Sequence, residues 1–525
     1  LSLLVLFAFP ANAQRPIRSR SKLAPAPDSR PIDGGGQPGS AGSMLVRWME
    51  PAYADGVSAP AQKGRPNPRA VSQIVNREDV AIPNPLGASA FVWQWGQFLD
   101  HDLDLTGGNQ EPFHILAPMG DPMFDPQRTG RMRIDFFRSV FRMNAGVREQ
   151  VNLITSCIDA SNVYGSDLER ARMLRTTDSS GKLATSRGGL LPFNQHGMPN
   201  DGGPSADLFL AGDQRANEQI GLTAMHTLFV REHNRLAGLL HVSNPRMSRD
   251  RIYEWARAIV AAEMQAITYR EFLPLLLGPD ALPPYQGYRP TMDPSISNVF
   301  STAAFRVGHT MLNAQLLRLQ ADGSSVPEGP LPLAEAFFRP DLIQAPGALE
   351  ALLRGLAGQR ARAVDPYVTD AVRNFLFGQP GAGGFDLAAL NIQRGRDHGL
   401  PDYNTVRAHM GLARKTSFAT ISSDPEIQRR LEEAYGSVEV IDPWVGGLAE
   451  DRLEGRMVGE LVYSVLRKQF LHLRDGDPYW YERILDPAAL AYVESLTLGR
   501  IIQLNTEIGA ELPEDVFHAP ADSPY

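Results

Sequence analysis

Apolar residues recur at helical spacing along most of this chain, and that period constrains its fold more than any other feature. Between Asn217 and Leu240 they fall at Leu222, Met225, Leu228, Phe229, Leu236 and Leu239, the spacing that lines one face of an α-helix. Ile252 to Tyr269 and Glu454 to Leu473 repeat the pattern. Strand-like alternation is hard to find, and Gly/Pro-rich stretches such as Gly378 to Gly384 separate the helical segments. The expected fold class is mainly α with little β. For 525 residues, about 150 per domain would give three or four domains. No second linker and no internal repeat divides the chain, so one large domain is expected over residues 41–520.

What precedes that domain reads differently. Leu1 to Phe9 is an apolar run, followed by Pro10 and then Ala11-Asn12-Ala13, with small residues spaced as at a signal-peptidase site. Residues 1–13 are expected to be the remnant of a signal peptide, the exported chain starting at Gln14 and being secreted to the extracellular space or the periplasm. The run is too short for a bilayer, which takes about 20 residues, and no later uncharged segment is long enough, so no transmembrane anchor is expected. Residues 14–40 carry Pro16, Pro25, Pro27, Pro31, Pro38 and Gly34-Gly35-Gly36, and read as an extended, poorly ordered leader. A net charge of −8 argues against a nucleic-acid partner, whose affinity would rest on clustered Lys and Arg. Cys157 is the only cysteine, which excludes an intramolecular disulfide and any metal cluster built on several thiolates.

Four segments could carry chemistry. In Trp93 to Asp104, residues Trp93, Gln97 and His101 share one helical face. His101 there suits a general base, with Gln97 placing a water or small ligand beside it. The flanking Asp100, Asp102 and Asp104 would raise its pKa and keep it charged unless a covalent bond or a metal removed their charge. An acidic helix end with a solvated histidine accounts for the same residues. Thr155-Ser156-Cys157-Ile158-Asp159-Ala160-Ser161 is rich in the side-chain oxygen that a hard cation such as Ca²⁺ requires, with Asp102 able to add a carboxylate; turn formation is the plainer reading. Phe305-Arg306-Val307-Gly308-His309-Thr310 sets a histidine behind a glycine inside a helical pattern. A mid-helix glycine costs about 1 kcal/mol against alanine. A flat cofactor ligated by His309 would explain both residues, as a satisfied core histidine would explain one. Asn391 to Gly399 is polar and arginine-rich, suited to hold an imidazole tautomer or to pair with carboxylates, or simply to be a solvated loop.

Taken together, these segments resemble the animal-type haem peroxidases of the peroxidasin–cyclooxygenase superfamily. The matching blocks, in order, are Trp95–Leu105, Leu153–Ser166, Phe209–Leu236, Phe305–Thr310, Leu390–Asn404 and Leu473–Tyr481, within a likeness covering about 35 to 520. The resemblance implies a single large, mainly α peroxidase domain that binds haem b and Ca²⁺. It implies His101 as distal base, Gln97 as its neighbour and Arg215 as distal arginine. It implies His309 as proximal iron ligand with Asn391 as hydrogen-bond partner, and places Arg306 and Arg394 near the haem. Asp100 and Glu218 match the carboxylates that esterify the haem. Asp102, Thr155, Cys157 through its carbonyl, Asp159 and Ser161 match the calcium ligands. Ester and calcium would neutralise Asp100 and Asp102, leaving His101 free to act as a base.

Gln219 stands where myeloperoxidases carry the methionine that forms a sulfonium bond to haem. Glutamine cannot form that bond, and chloride oxidation is correspondingly disfavoured. The expected function is a secreted peroxidase that reduces H₂O₂ and oxidises a halide, thiocyanate or phenol. The alternatives are a fatty-acid oxygenase on the same fold and a haem-free adhesion or matrix protein. The oxygenases of the superfamily use a tyrosine three positions before the proximal histidine, where this chain has Arg306.

Overall fold

The computed structural model describes residues 30–521 and 523; the expected signal-peptide remnant, 1–13, and the leader up to residue 29 lie outside the described residues. Helices dominate. Five of them frame the site: α1 (Phe91–Leu103), α2 (Ile220–Ser243), α3 (Arg249–Ile267), α4 (Leu387–Asp397) and α5 (Glu460–Asp475). α2 and α3 are the long helices expected from the periodicity. The Asn244–Ser248 loop joins them, and the Ser248 hydroxyl accepts from Arg251 N–H to cap α3. Both are buried along most of their length, so their apolar positions spread beyond a single stripe. α3 runs on through a π-turn at Thr268–Phe272 into a helix at Leu273–Leu277.

Among the described residues, the strands pair as five two-stranded ribbons, four antiparallel and one parallel, beside isolated bridges, which fits the expectation of little β. One contiguous apolar core joins the helices, from Leu45 to Phe517. Trp95 sits inside it, its ring near those of Phe98, Phe229 and Phe517 and its indole N–H donating to Thr268 Oγ1 at 3.3 Å.

Residues 30–40, the end of the Pro/Gly-rich stretch, fold as turns strapped to the body. Arg30 is buried and its guanidinium bonds Asp477 Oδ1 at 2.5 Å. Ser156 N–H donates to Gly39 O at 2.8 Å and Gly42 N–H to Asn152 O at 2.7 Å. Proline and glycine deny this segment helix and ladder, yet these bonds to the body hold it in place.

Candidate active site

α1 begins without a side-chain cap and ends in an extended Asp104. Its Trp93, Gln97 and His101 lie on one face and line a cavity of about 370 Å³, joined there by Gly96, Asp100 and Asp104. The segment Ala304–Thr310 packs against α1 and brings Phe305, Arg306, Gly308 and His309 to the same cavity. It is a 3₁₀-helix, tighter than the α-helical pattern expected. Arg215, Glu218 and Gln219 arrive from the loop before α2, Arg394 from α4, and Phe272 from the π-turn. Apolar side chains such as Leu312, Leu333, Leu376 and Phe377 close the rest. His101, Gln97, Arg215, His309, Asp100, Glu218, Arg306 and Arg394, all expected at the haem from the sequence, thus line one cavity, and Asn391 lies directly behind it.

His101 is buried, with Nδ1 3.7 Å from Asp213 Oδ1 and Nε2 3.9 Å from Glu218 Oε2. Burial, followed by the nearby Arg215 charge, holds it well below the usual imidazole range, so the ring is neutral. The aspartates beside it in sequence do not raise it, contrary to the sequence expectation. Burial pushes Asp100 up to about 8, with repulsion from Asp104 adding to it. Asp102 turns away into a neighbouring loop. Neutrality at His101 therefore needs neither an ester nor a bound cation.

Arg215 is held by a residue that sequence reasoning missed. Asp213 Oδ1 accepts from Arg215 Nε at 2.8 Å and Oδ2 accepts from Nη2 at 2.9 Å, leaving Nη1 3.6 Å from Asp100 Oδ2. The Asp213-Gln214-Arg215 spacing is a visible signal, an acid two residues before the arginine. Gly212 lets Asp213 take this place: a Cβ there would come within 2.5 Å of Ser161 O.

Glu218 is pushed up to about 8 by burial and by Asp201. It accepts from Gln97 Nε2 at 2.9 Å. Gln219 Nε2 donates to Gln94 Oε1 at 2.7 Å and to Gln97 Oε1 at 3.1 Å, and its own Oε1 accepts from Gly221 N–H at 2.6 Å. A chain of amides thus fixes Gln97. Gln94 was not singled out in the sequence.

Below His309, Asn391 Nδ2 meets Nδ1 at 2.8 Å, and Arg306 Nη1 donates to Asn391 Oδ1 at 2.8 Å. In this arrangement Nδ1 accepts and the ring hydrogen sits on Nε2. A metal at Nε2 would move that hydrogen to Nδ1 and call for the amide oxygen in place of its nitrogen. Burial, then Arg306, lowers His309 to about 3, which keeps it neutral and ready to ligate. A Cβ built on Gly308 meets nothing within 4 Å, so the backbone beside His309 is open to a flat group. Burial lowers Arg394 to about 10, and it bonds Phe137 O at 3.0 Å and Ser139 Oγ at 2.8 Å. Two neutral imidazoles, two carboxyls near neutrality, an open glycine and apolar walls fit a planar haem with iron at His309.

Away from the cavity, Asp102 joins the Thr155–Ser161 loop. Its Oδ1 accepts from Ser161 Oγ at 2.7 Å and its Oδ2 from the N–H groups of Asp159 and Ala160 at 3.1 and 3.0 Å. Thr155 Oγ1 donates to Asp159 Oδ1 at 3.0 Å. Asp159 Oδ2 is buried without a hydrogen-bond donor and lies 3.7 Å from Arg30 Nε. Burial raises both carboxyls, and Asp159 raises Asp102 further. Ala160 adopts φ 61°, a left-handed conformation unusual for alanine, where the loop turns around these oxygens. The Cys157 thiol is buried and pushed well up by burial, which leaves it unreactive. Two buried carboxylates, hydroxyls and an orphaned oxygen fit a hard cation.

The sequence profile of the family described as animal haem peroxidase matches residues 36–517. The mouse peroxidasin homologue is 38% identical over 88% of this chain, which spans about a third (34%) of that protein's length. The structure of peroxidase A from Dictyostelium discoideum superposes with a TM-score of 0.87 at 33% identity, covering 94% of this chain and 99% of that one. A fatty acid alpha-dioxygenase from Arabidopsis thaliana shares the fold, with a TM-score of 0.80 at 20% identity, over 94% of this chain and 84% of its own. On these matches the chain belongs to the animal haem peroxidase family and is an enzyme of that class.

Proposed function

We propose that this chain is a secreted haem peroxidase that reduces H₂O₂ and oxidises a halide, thiocyanate or phenol. The observation that carries the reading is the meeting of neutral His101, Asp213-fixed Arg215 and Asn391-backed His309 around one cavity. Haem bound there would be held by His309 Nε2 and by esters to Asp100 and Glu218, and would supply the iron that binds peroxide and passes oxidising equivalents to the donor.

The chain's own residues do the rest. Neutral His101 Nε2 is placed to accept a proton from one oxygen of H₂O₂ and return it to the other. The two electrons for O–O cleavage, and the acceptor for the remaining oxygen, would come from the haem. The Arg215 guanidinium, locked by Asp213, faces the negative charge that develops as the O–O bond breaks. Gln97 orients the incoming molecule through its amide, which the bonds from Gln219 and to Glu218 keep from turning over. Asn391 carries no charge, so His309 stays a neutral imidazole ligand. Arg306 and Arg394 line the same cavity and would set positive charge beside a bound haem. Calcium at Asp102, Thr155, Cys157 O, Asp159 and Ser161 would tie the end of α1 to its neighbouring loop. Arg306, three positions before His309, cannot form the radical an oxygenase of this fold needs.

The test is peroxide-dependent oxidation of iodide and of a phenolic dye by the haem-loaded protein. His101→Ala should retain haem but lose most of this activity. Equal activity in the variant would overturn the distal assignment.

A further inference from the structure

Two buried imidazole nitrogens on the distal side have no hydrogen-bond partner: His101 Nδ1 and His226 Nε2. His226 lies on α2, fully buried, its ring centroid 6.4 Å from that of His101 with the planes tilted by 33°. Its other nitrogen settles its tautomer. His226 Nδ1 lies 3.1 Å from the carbonyl oxygen of Asn162, which can only accept, so in the neutral ring Nδ1 carries the hydrogen and Nε2 offers a lone pair. Burial lowers His226 to about 4, consistent with a neutral ring. The same Asn162 carbonyl accepts from Asp213 N–H at 3.1 Å, which pins Asp213 beside the two histidines. Asp213 Oδ1 is 3.7 Å from His101 Nδ1, too long for a direct hydrogen bond.

Asp213 Oδ1 already accepts from Arg215 N–H and Nε–H, both at 2.8 Å, so the free acceptor near His101 Nδ1 is His226 Nε2. Left as they stand, two buried imidazole nitrogens would each carry the desolvation cost of an unmade bond. A single water would satisfy both nitrogens: it accepts from His101 Nδ1–H and donates to His226 Nε2. Buried waters typically make about two to four hydrogen bonds. We propose that His226 is a positioning residue for His101: through one ordered water it keeps the His101 hydrogen on Nδ1 and leaves the Nε2 lone pair toward the cavity. The wrong tautomer would present an N–H to peroxide where a proton acceptor is needed. This inference rests on the reading of His101 as distal base, and the experiment separates the two.

The first readout is a crystal structure of the haem-loaded protein. It should show one ordered water within hydrogen-bond distance of His101 Nδ1 and His226 Nε2; a dry contact between the rings overturns the proposal. The second is the stopped-flow rate of the first reaction with H₂O₂ in His101→Ala, His226→Phe and His226→Gln. Phenylalanine fills the space without an acceptor and should slow the step ten-fold or more with haem absorbance unchanged. Glutamine, whose Oε1 accepts, should recover most of that loss. Phenylalanine at the native rate, or glutamine as slow as phenylalanine, refutes the role of His226. His101→Ala at the native rate would instead refute the distal-base reading itself, while the crystallographic water still decides the geometry.

Discussion

Replacing Asp213 with asparagine isolates what fixes the distal arginine. The Asp213 carboxylate holds Arg215 through two bonds, at 2.8 and 2.9 Å, with side chains 1% and 10% exposed. Asp213→Asn keeps the shape and one acceptor oxygen but loses one of these bonds and the countercharge. Breaking a buried pair from one side costs about 3–5 kcal/mol, which a domain with 5–15 kcal/mol of stability survives at a lowered Tm. The kinetic effect is separate. Without the two carboxylate bonds, the Arg215 guanidinium is no longer held in one position. Misplacing one preorganised stabilising group costs on the order of 10²–10³ in rate. Stopped-flow absorbance should show that loss in the reaction with H₂O₂ while haem remains bound, and thermal unfolding should show the lower Tm. A variant with lowered Tm but a native peroxide rate would refute the argument that Asp213 sets the working position of Arg215.

Other consequences follow from the same geometry. Elemental analysis should find calcium in the purified protein, and chelation or Asp159→Ala should remove it with a fall in Tm; a metal-free protein indifferent to both would contradict the cation site. After exposure to peroxide, acid–butanone should leave haem on the protein through Asp100 and Glu218, and the double variant Asp100→Asn/Glu218→Gln should release it. Iodide, thiocyanate and bromide should turn over faster than chloride, since Gln219 cannot form the sulfonium bond; chloride matching bromide at neutral pH would show that Gln219 is not limiting. Asp442 is buried, which alone would raise its pKa, yet Arg396 at 2.9 and 2.7 Å and Arg65 at 3.1 Å hold it below the ordinary carboxylate value. A depressed carboxyl stabilises above its unfolded pKa of about 3.9 and loses that contribution as pH falls through the folded value. Tm should therefore drop below about pH 4, and Asp442→Asn, already less stable, should flatten that acid limb.

The distal face was legible because a helix has a fixed period: Trp93, Gln97 and His101 share a side in sequence and in the fold. The protonation state of His101 was not. Its sequence neighbours are acids, but helix rotation carries Asp102 into a loop and burial keeps Asp100 near neutrality, so the ring senses Arg215 instead. Around His309 the glycine signalled close approach, whereas the 3₁₀ geometry depends on packing against α1 and left no trace in the period. His226 and Gln94 look like ordinary polar positions on helices, and only their burial beside the cavity residues gives them meaning. The strapping of residues 30–40 also escaped composition, because Arg30 finds its carboxylate at Asp477, far away in sequence.

The central claim is that His309 holds haem iron while His101 faces it without binding it. Titrating haem into the wild type, His309→Ala and His101→Ala, and recording the Soret band, tests both roles in one measurement. Wild type and His101→Ala should show the same ligated spectrum, and His309→Ala should lose it until imidazole is added to replace the missing ring. An unchanged Soret band in His309→Ala, or its loss in His101→Ala, would contradict the account.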